Sequence, residues 1–325
     1  MDKKPVLNLL ISGSTNISTI PGVTSAGATP DLTLLTPALD SEILVEGKCK
    51  SLNVPPMTPE GLPTPSLVAK ACLNLSGVST MVVDAGMGVK PQCNYLHSGL
   101  NVALDGRYGF ALPHASDAVA TGRYIAKSIL KNVNSVMISE SIPGGTTTAQ
   151  AVLSLLGEKI ETSSSFKDNP LTLKKEIISD IVKRHGIQND PLKAISRGGD
   201  YTQEVILGLL SENEGSEVIL SGGTQMGTIY YIASLLKLPL ENVEVWTSRQ
   251  IMASSEHTMK FLVDKDHLKF SHTDFGKSRF EGIRKFEEGF VKEGAGMGGS
   301  LVLAESGNSG ERIMDSIDHT YEAFM

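Results

Sequence analysis

The 325-residue sequence has only three cysteines, Cys49, Cys72 and Cys93. Their number is odd and no C-x-x-C pair occurs, which argues against a disulfide framework and a structural zinc site. A reducing, cytoplasmic setting fits that usage. Basic charge is short as well: 29 lysines and arginines against 36 aspartates and glutamates leave a formal charge of -7. That argues against an extended nucleic-acid surface. No basic-aromatic stripe is present for stacking bases. No stretch reaches the roughly 18 apolar residues of a membrane-spanning helix. The first apolar run, Pro5 to Ser12, is too short for a secretory leader and reads as a buried strand. The seven histidines are dispersed. His267 and His272 flank a strand without ligand-like spacing, so no metal site is expected. Two nucleotide signatures are missing too. No Gly-Lys-Ser/Thr follows a glycine run, which excludes a Walker A loop. Ser12-Gly13-Ser14-Thr15 lacks the G-x-G-x-x-G of a dinucleotide-binding turn.

Glycine, by contrast, is frequent, and it falls at the ends of short apolar runs. Ser79 to Asp84 leads into Ala85-Gly86, Asn134 to Ser139 leads towards Gly144-Gly145, and Ser216 to Ser221 leads into Gly222-Gly223. Asn242 to Thr247 is a fourth such run. Runs of this length suit parallel strands buried on both faces. Between them lie stripes at helical spacing: Ala149, Val152, Leu153 and Leu156; Leu173, Ile177, Ile181 and Val182, closed by Gly186; Val205, Leu209 and Leu210; Ile229, Ile232 and Leu236. A last stripe, Ile313, Ile317 and Tyr321, predicts a C-terminal helix. The alternation predicts a doubly wound, mostly parallel α/β sheet, with ligands beyond the carboxyl ends of its strands. Asp84, Glu140 and the Gly222-Gly223 turn fall at such ends and are expected to share one crevice.

Residues 13–65 are rich in Gly, Pro, Ser and Thr. They read as an extended region lying over the sheet or across a subunit boundary. Residues 1–325 read as one unit, in which 277–325 form a C-terminal segment carrying the turn around Glu293.

Two segments carry chemistry. Glu140-Ser141-Ile142-Pro143-Gly144-Gly145-Thr146-Thr147-Thr148 follows a strand and opens a helix. Free N–H groups at Gly144 and Gly145, with the hydroxyls of Thr146 and Thr147, suit a phosphate; a plain capped turn is the other reading. Lys292-Glu293-Gly294-Ala295-Gly296 sets a carboxylate beside glycines that admit a substrate closely. Glu293 there is a candidate general base, or else an exposed glutamate before a helix. Further binding candidates are Lys174 on a predicted helix, against a merely solvated helix face, and Gly198-Gly199-Asp200, against a simple N-cap. The strand-end turn Ser221-Gly222-Gly223 and Asp84 complete the set.

Together these segments resemble the nicotinate-nucleotide–dimethylbenzimidazole phosphoribosyltransferase family, in its archaeal-type branch. The resemblance runs over essentially the full length through Ile20 to Gly27, Thr36-Pro37-Ala38, Thr58 to Pro65, Val83-Asp84-Ala85-Gly86, Glu140 to Thr148, Gly198-Gly199-Asp200 and Lys292 to Gly296. It implies a Rossmann-like core with a small extra domain, working as a homodimer without a cofactor or metal. It implies phosphoribosyl transfer from nicotinate mononucleotide to a benzimidazole-type base, giving an α-ribazole phosphate for a cobamide lower ligand. The family's catalytic Glu-Gly-x-Gly matches Glu293-Gly294-Ala295-Gly296. Its phosphate segment is matched by Glu140, Gly144, Thr146 and Thr147, while the first glycine and the asparagine of the bacterial branch are replaced, by Ile142 and Gly145. Its helix lysine matches Lys174 best, with Lys175 as the other match. Where the bacterial branch has Asp-His-Gly, this chain has Asp84-Ala85-Gly86. A non-catalytic nucleotide-binding or regulatory protein on the same fold is the alternative.

Overall fold

Along β1 (Leu7–Ser12), alternate side chains enter different cores. Leu9 and Ile11 join the larger apolar cluster on one face of the sheet, and Leu10 joins a smaller one. β4 (Ser135–Ser141) divides in the same way, with Val136 and Ile138 on one side and Met137 on the other. This period of two, with both faces covered, is why these strands are continuously apolar. The computed structural model describes residues 4–27, 29–52, 57–58 and 61–324.

The other strands are β2 (Ser79–Asp84), β3 (Tyr95–His97), β5 (Glu217–Ser221), β6 (Val243–Thr247) and β7 (Leu268–Phe270). They form one sheet in the order β3-β2-β1-β4-β5-β6-β7. Every neighbouring pair is parallel. The chain winds outwards in both directions from β1 and β4, so the topological switch lies between them. No described helix is long and apolar enough to cross a membrane.

A separate apolar cluster joins the two ends of the chain. Ile43, Leu67 and Val68, from helices Pro30–Glu46 and Pro65–Ser76, pack with Phe275, Phe286, Leu301, Ile313 and Ile317. The C-terminal segment is thereby built into a helical layer beside the sheet, and this layer carries the Glu293 turn.

The expectation of an extended region over residues 13–65 is corrected in its middle. Pro30–Glu46 is a 17-residue helix. Thr29 caps it, Pro30 takes the first turn where no N–H is needed, and Gly47 ends it in the left-handed conformation. Pro37 lies inside the helix and is buried. Tertiary packing therefore overrides the local cost of an interior proline. The flanks, residues 20–27 and 61–64, carry no helix or strand. Pro59 and Glu60 of the Thr58 to Pro65 segment lie outside the described residues.

Candidate functional site

Beyond the carboxyl end of β4 a cleft opens at the switch point. Glu140 lies just before the strand's last residue, and Ile142-Pro143-Gly144 carries the chain into helix Gly145–Leu155. Gly144 is left-handed (φ 79°), and a Cβ there would stand 3.2 Å from Ser18. The Gly145 N–H is already used, donating to Ile142 O at 3.0 Å, and those of Thr147 and Thr148 donate to Gly144 O. The N–H groups of Gly144 and Thr146 donate to no backbone carbonyl outside regular elements among the described residues. Each is placed for an anion at the positive end of the helix.

The opposite wall is the turn Val291–Gly296. Glu293 accepts the Gly298 N–H on both carboxylate oxygens, at 2.9 and 3.1 Å. Gly298 lies in the first turn of helix Met297–Glu305, so this is an anion on a helix N-terminus. Gly298 itself must lack a side chain: a Cβ would stand 2.2 Å from Ser248 N and 2.8 Å from Glu293 Oε2.

Three carboxyl groups reach the cleft lining. Asp40, Glu140 and Glu293 all contribute to it. Asp40 accepts hydrogen bonds from Thr64 Oγ1 at 2.8 Å and Ser141 Oγ at 2.7 Å. Burial pushes its proton affinity up against those hydroxyls. Burial, with the nearby Asp200, Glu293 and Asp40 charges, holds Glu140 well above the ordinary carboxylate range. Burial also lifts Glu293 to about 8, against the Gly298 and Gly294 N–H groups, which favour its ionised form. Among the described residues, Lys292 is the one lysine or arginine in this lining.

Of the sequence candidates, Glu140, Gly144, Gly145, Thr146, Glu293 and Gly294 line the cleft. The others stand behind it or away from it. Thr147 is buried beneath the turn, its hydroxyl without a partner. Gly222 and Gly223 back the carboxylates: a Cβ on either would lie 3.5 Å from Glu140 Oε1 or from the Glu293 side chain. Ser221 donates to Gly296 O at 2.8 Å and so braces the Glu293 turn. Asp200 caps helix Tyr201–Leu210 and accepts from Thr148 Oγ1 at 2.6 Å, fixing the cradle helix from below. Gly198 and Gly199 serve close packing, with Leu155 and Gln203 where a Cβ would go.

Two candidates change character. Lys174, expected on a polar helix face, is fully buried. Its ammonium donates to Thr162 Oγ1 at 2.9 Å and Ser163 O at 3.0 Å, and burial lowers its pKa to about 7. It meets the cradle through an intermediary, because Thr162 Oγ1 in turn donates to Thr146 O at 2.6 Å. Its neighbour Lys175 is the exposed one, paired with Glu161. Asp84 does not share the crevice. It is buried at the end of β2, where it binds the Gly86 and Met87 N–H groups, Lys90 and His97. A carboxylate satisfied by four donors closes its own turn and leaves little for a ligand.

Sequence reading missed Asp40 and the serine run Ser163-Ser164-Ser165, all in the lining. Asp40 sits on the helix that the sequence concealed. The serine run was visible as three consecutive hydroxyl residues, but nothing local ties it to the cradle.

A parallel sheet with a cleft at its switch point, a helix N-terminus on one wall and a carboxylate turn on the other define an α/β protein of the doubly wound class. No protein-family model matches the chain. Its relatives place it all the same: it belongs to the UPF0284 family. It is 38% identical over 318 residues to a UPF0284 protein of Thermoplasma volcanium, covering 98% of this chain and 94% of that one. A UPF0284 protein of Thermococcus gammatolerans is 35% identical over 330 residues, covering 98% of both chains. Among solved structures, the nicotinate-nucleotide–dimethylbenzimidazole phosphoribosyltransferase of Thermus thermophilus is similar with a TM-score of 0.65 and 15% identity, over 98% of this chain and 83% of that one. A CobT structure from the same organism gives 0.64 at 15% identity, over 98% and 84%. The fold is therefore that of these phosphoribosyltransferases.

Proposed function

We propose that this cleft transfers the phosphoribosyl group of nicotinate mononucleotide to a benzimidazole-type base, releasing nicotinate and forming an α-ribazole phosphate. One observation carries the reading: three carboxyl groups, the buried Asp40 and Glu140 and the half-buried Glu293, share a cleft with the N–H groups of Gly144 and Thr146 at a helix N-terminus. The donor has matching polarity, with an anionic phosphate and a cationic pyridinium on C1′ of the ribose. The phosphate sits on Gly144 and Thr146, and the carboxyl groups face the positive charge.

The ring nitrogen of the incoming base attacks C1′ as the C1′–pyridinium bond breaks. That bond's electron pair goes to the departing nicotinate nitrogen, which needs no proton. The acceptor's N–H proton passes to Glu293, and attack from the opposite face inverts the anomeric centre. A pyridinium beside Glu293 favours its ionised form, so the donor itself readies the base.

The test is incubation of the chain with nicotinate mononucleotide and a panel of benzimidazoles and purines, read by mass spectrometry. A riboside phosphate appearing with stoichiometric nicotinate is expected. No such product with any base removes the reading.

We also propose a homodimer, on the strength of the family resemblance. Sedimentation equilibrium at micromolar concentration should give twice the 34.6 kDa chain mass; a monomer there contradicts it.

A further inference from the structure

Glu293 stands in a backbone that resists being built. Val291 (φ 46°) and Ala295 (φ 50°), neither of them glycine, are left-handed, and Gly294 and Gly296 also have positive φ. A β-branched residue in that region is strained, and such strain persists only where surrounding contacts over-determine it. Ser221 and the Gly298 N–H hold the far end of the turn; the contacts at its near end come from one residue and its neighbour. Lys292, 5% exposed, donates from its ammonium to Ser164 O at 3.1 Å, Lys167 O at 3.4 Å and Phe166 O. Its own carbonyl accepts from Ser248 Oγ at 2.6 Å, and the Val291 N–H donates to Ser165 O at 3.2 Å.

An ammonium has three N–H donors and no acceptor. All three are directed at carbonyls of one loop, which leaves none for a substrate although the residue lines the cleft. No carboxylate among the described residues pairs with it. Burying an unpaired ammonium is costly, so its return must be structural. At its other end the same loop holds the phosphate cradle, through Thr162 Oγ1 on Thr146 O. The loop thus spans from cradle to carboxylate.

We propose that Lys292 is a positioning residue: its ammonium, spread over three carbonyls of the 164–167 loop, holds the strained Val291–Gly296 turn so that Glu293 faces the cleft. Only the chemistry assigned to Glu293 rests on the proposed transfer reaction; the clamp does not. Without it, the turn relaxes and the carboxylate loses its aim, while the cradle keeps its donors.

Lys292→Met keeps the stem and removes the donors. Turnover should fall 10- to 100-fold with the donor's KM within threefold. In a Glu293→Gln background the same change should cost less than threefold, because a misplaced base and an absent base are equivalent. Hydrogen exchange at the Val291 and Gly298 amides should quicken at least tenfold, with β4 amides unchanged. A tenfold rise in KM at constant turnover would make Lys292 a substrate ligand and overturn the proposal. So would equal losses in both backgrounds, or unchanged exchange at both amides. If β4 exchange shows that Lys292→Met has lost the fold, Lys292→Arg replaces it. Its planar fork cannot meet three carbonyls in the same way, so reduced turnover at constant KM supports the clamp and wild-type turnover overturns it. Should the wild-type chain transfer no phosphoribosyl group, the transfer reading falls and the exchange measurement alone decides on the clamp.

Discussion

Glu293→Gln should slow phosphoribosyl transfer to benzimidazole by roughly 10²–10⁴, the range for a lost general base, while leaving the fold intact. The amide keeps the shape, and its oxygen can still accept the Gly298 N–H that the carboxylate now accepts. What it cannot do is take the acceptor's proton. The loss should shrink for an acceptor that attacks already deprotonated. Turnover within about threefold of wild type would sink the role, since that is only about 0.65 kcal/mol of barrier. Glu140 is the control. It lies nearer the cradle, and burial among other carboxyl groups raises its pKa well above the ordinary carboxylate range. Glu140→Gln should therefore act mainly on donor binding. If it gave the larger loss of turnover, the two roles should be exchanged.

The same residue predicts two pH dependences. With Glu293 held at about 8 in the free cleft, kcat/KM should rise with pH and level off above about 8, because only the ionised base accepts a proton. Stability runs the other way. A carboxyl group whose folded pKa lies above its unfolded 4.5 binds its proton more tightly when folded. Its stabilisation is complete below about 4.5 and is lost as pH rises through about 8. Melting temperatures measured from pH 5 to 8.5 should fall less steeply in Glu293→Gln than in wild type. Some decline will remain, since burial lifts Glu204 to about 8 as well. Equal slopes would contradict the raised proton affinity of Glu293.

The second large effect is expected at the cradle. Gly145→Ala with Thr146→Val should weaken binding of nicotinate mononucleotide by roughly 2–4 kcal/mol, the scale of two charge-assisted hydrogen bonds. The new methyl on residue 145 would stand 2.7 Å from Ile142 Cγ2 and 3.0 Å from Gln225 Nε2. The turn must shift to accommodate it, and the N–H groups of Gly144 and Thr146 move with it. The valine removes the one hydroxyl of the pair that lines the cleft. Calorimetry with unchanged affinity in the double variant would remove the cradle assignment, whatever the fate of Glu293.

The strands were legible where both faces are buried. Ser79–Asp84 stands as read, and β4, β5 and β6 begin one residue inside the expected runs. β3 was not legible, because three half-exposed residues carry no period. Helix Pro30–Glu46 was hidden by its own composition: Pro37, Thr33 and Thr36 mask a helix whose buried residues include Asp40 and Glu42 as well as Leu39 and Ile43. Local propensity failed there because the helix is held by packing on helix Pro65–Ser76 and on strands β1, β2 and β4, which no local window shows. The site divides along the same line. The two glycine-flanked carboxylates were visible in sequence because close backbone approach leaves a glycine signature. Asp40 and the serine loop were invisible because they reach the cleft through the third dimension alone. Lys174 misled for a related reason: a lysine's burial depends on which carbonyls face it, and neighbours in sequence do not show that.

The shortness of the two outermost strands has a consequence for how copies of this protein can meet. β3 and β7 are three residues each. A strand that short offers too few unpaired backbone groups to template another chain, so the sheet is closed to growth at both margins. Any self-association must then proceed through side chains of helices and loops, where a point substitution can abolish it without touching the sheet. The same blunt margins protect a slow-folding parallel sheet from edge-to-edge aggregation while its distant strands find one another.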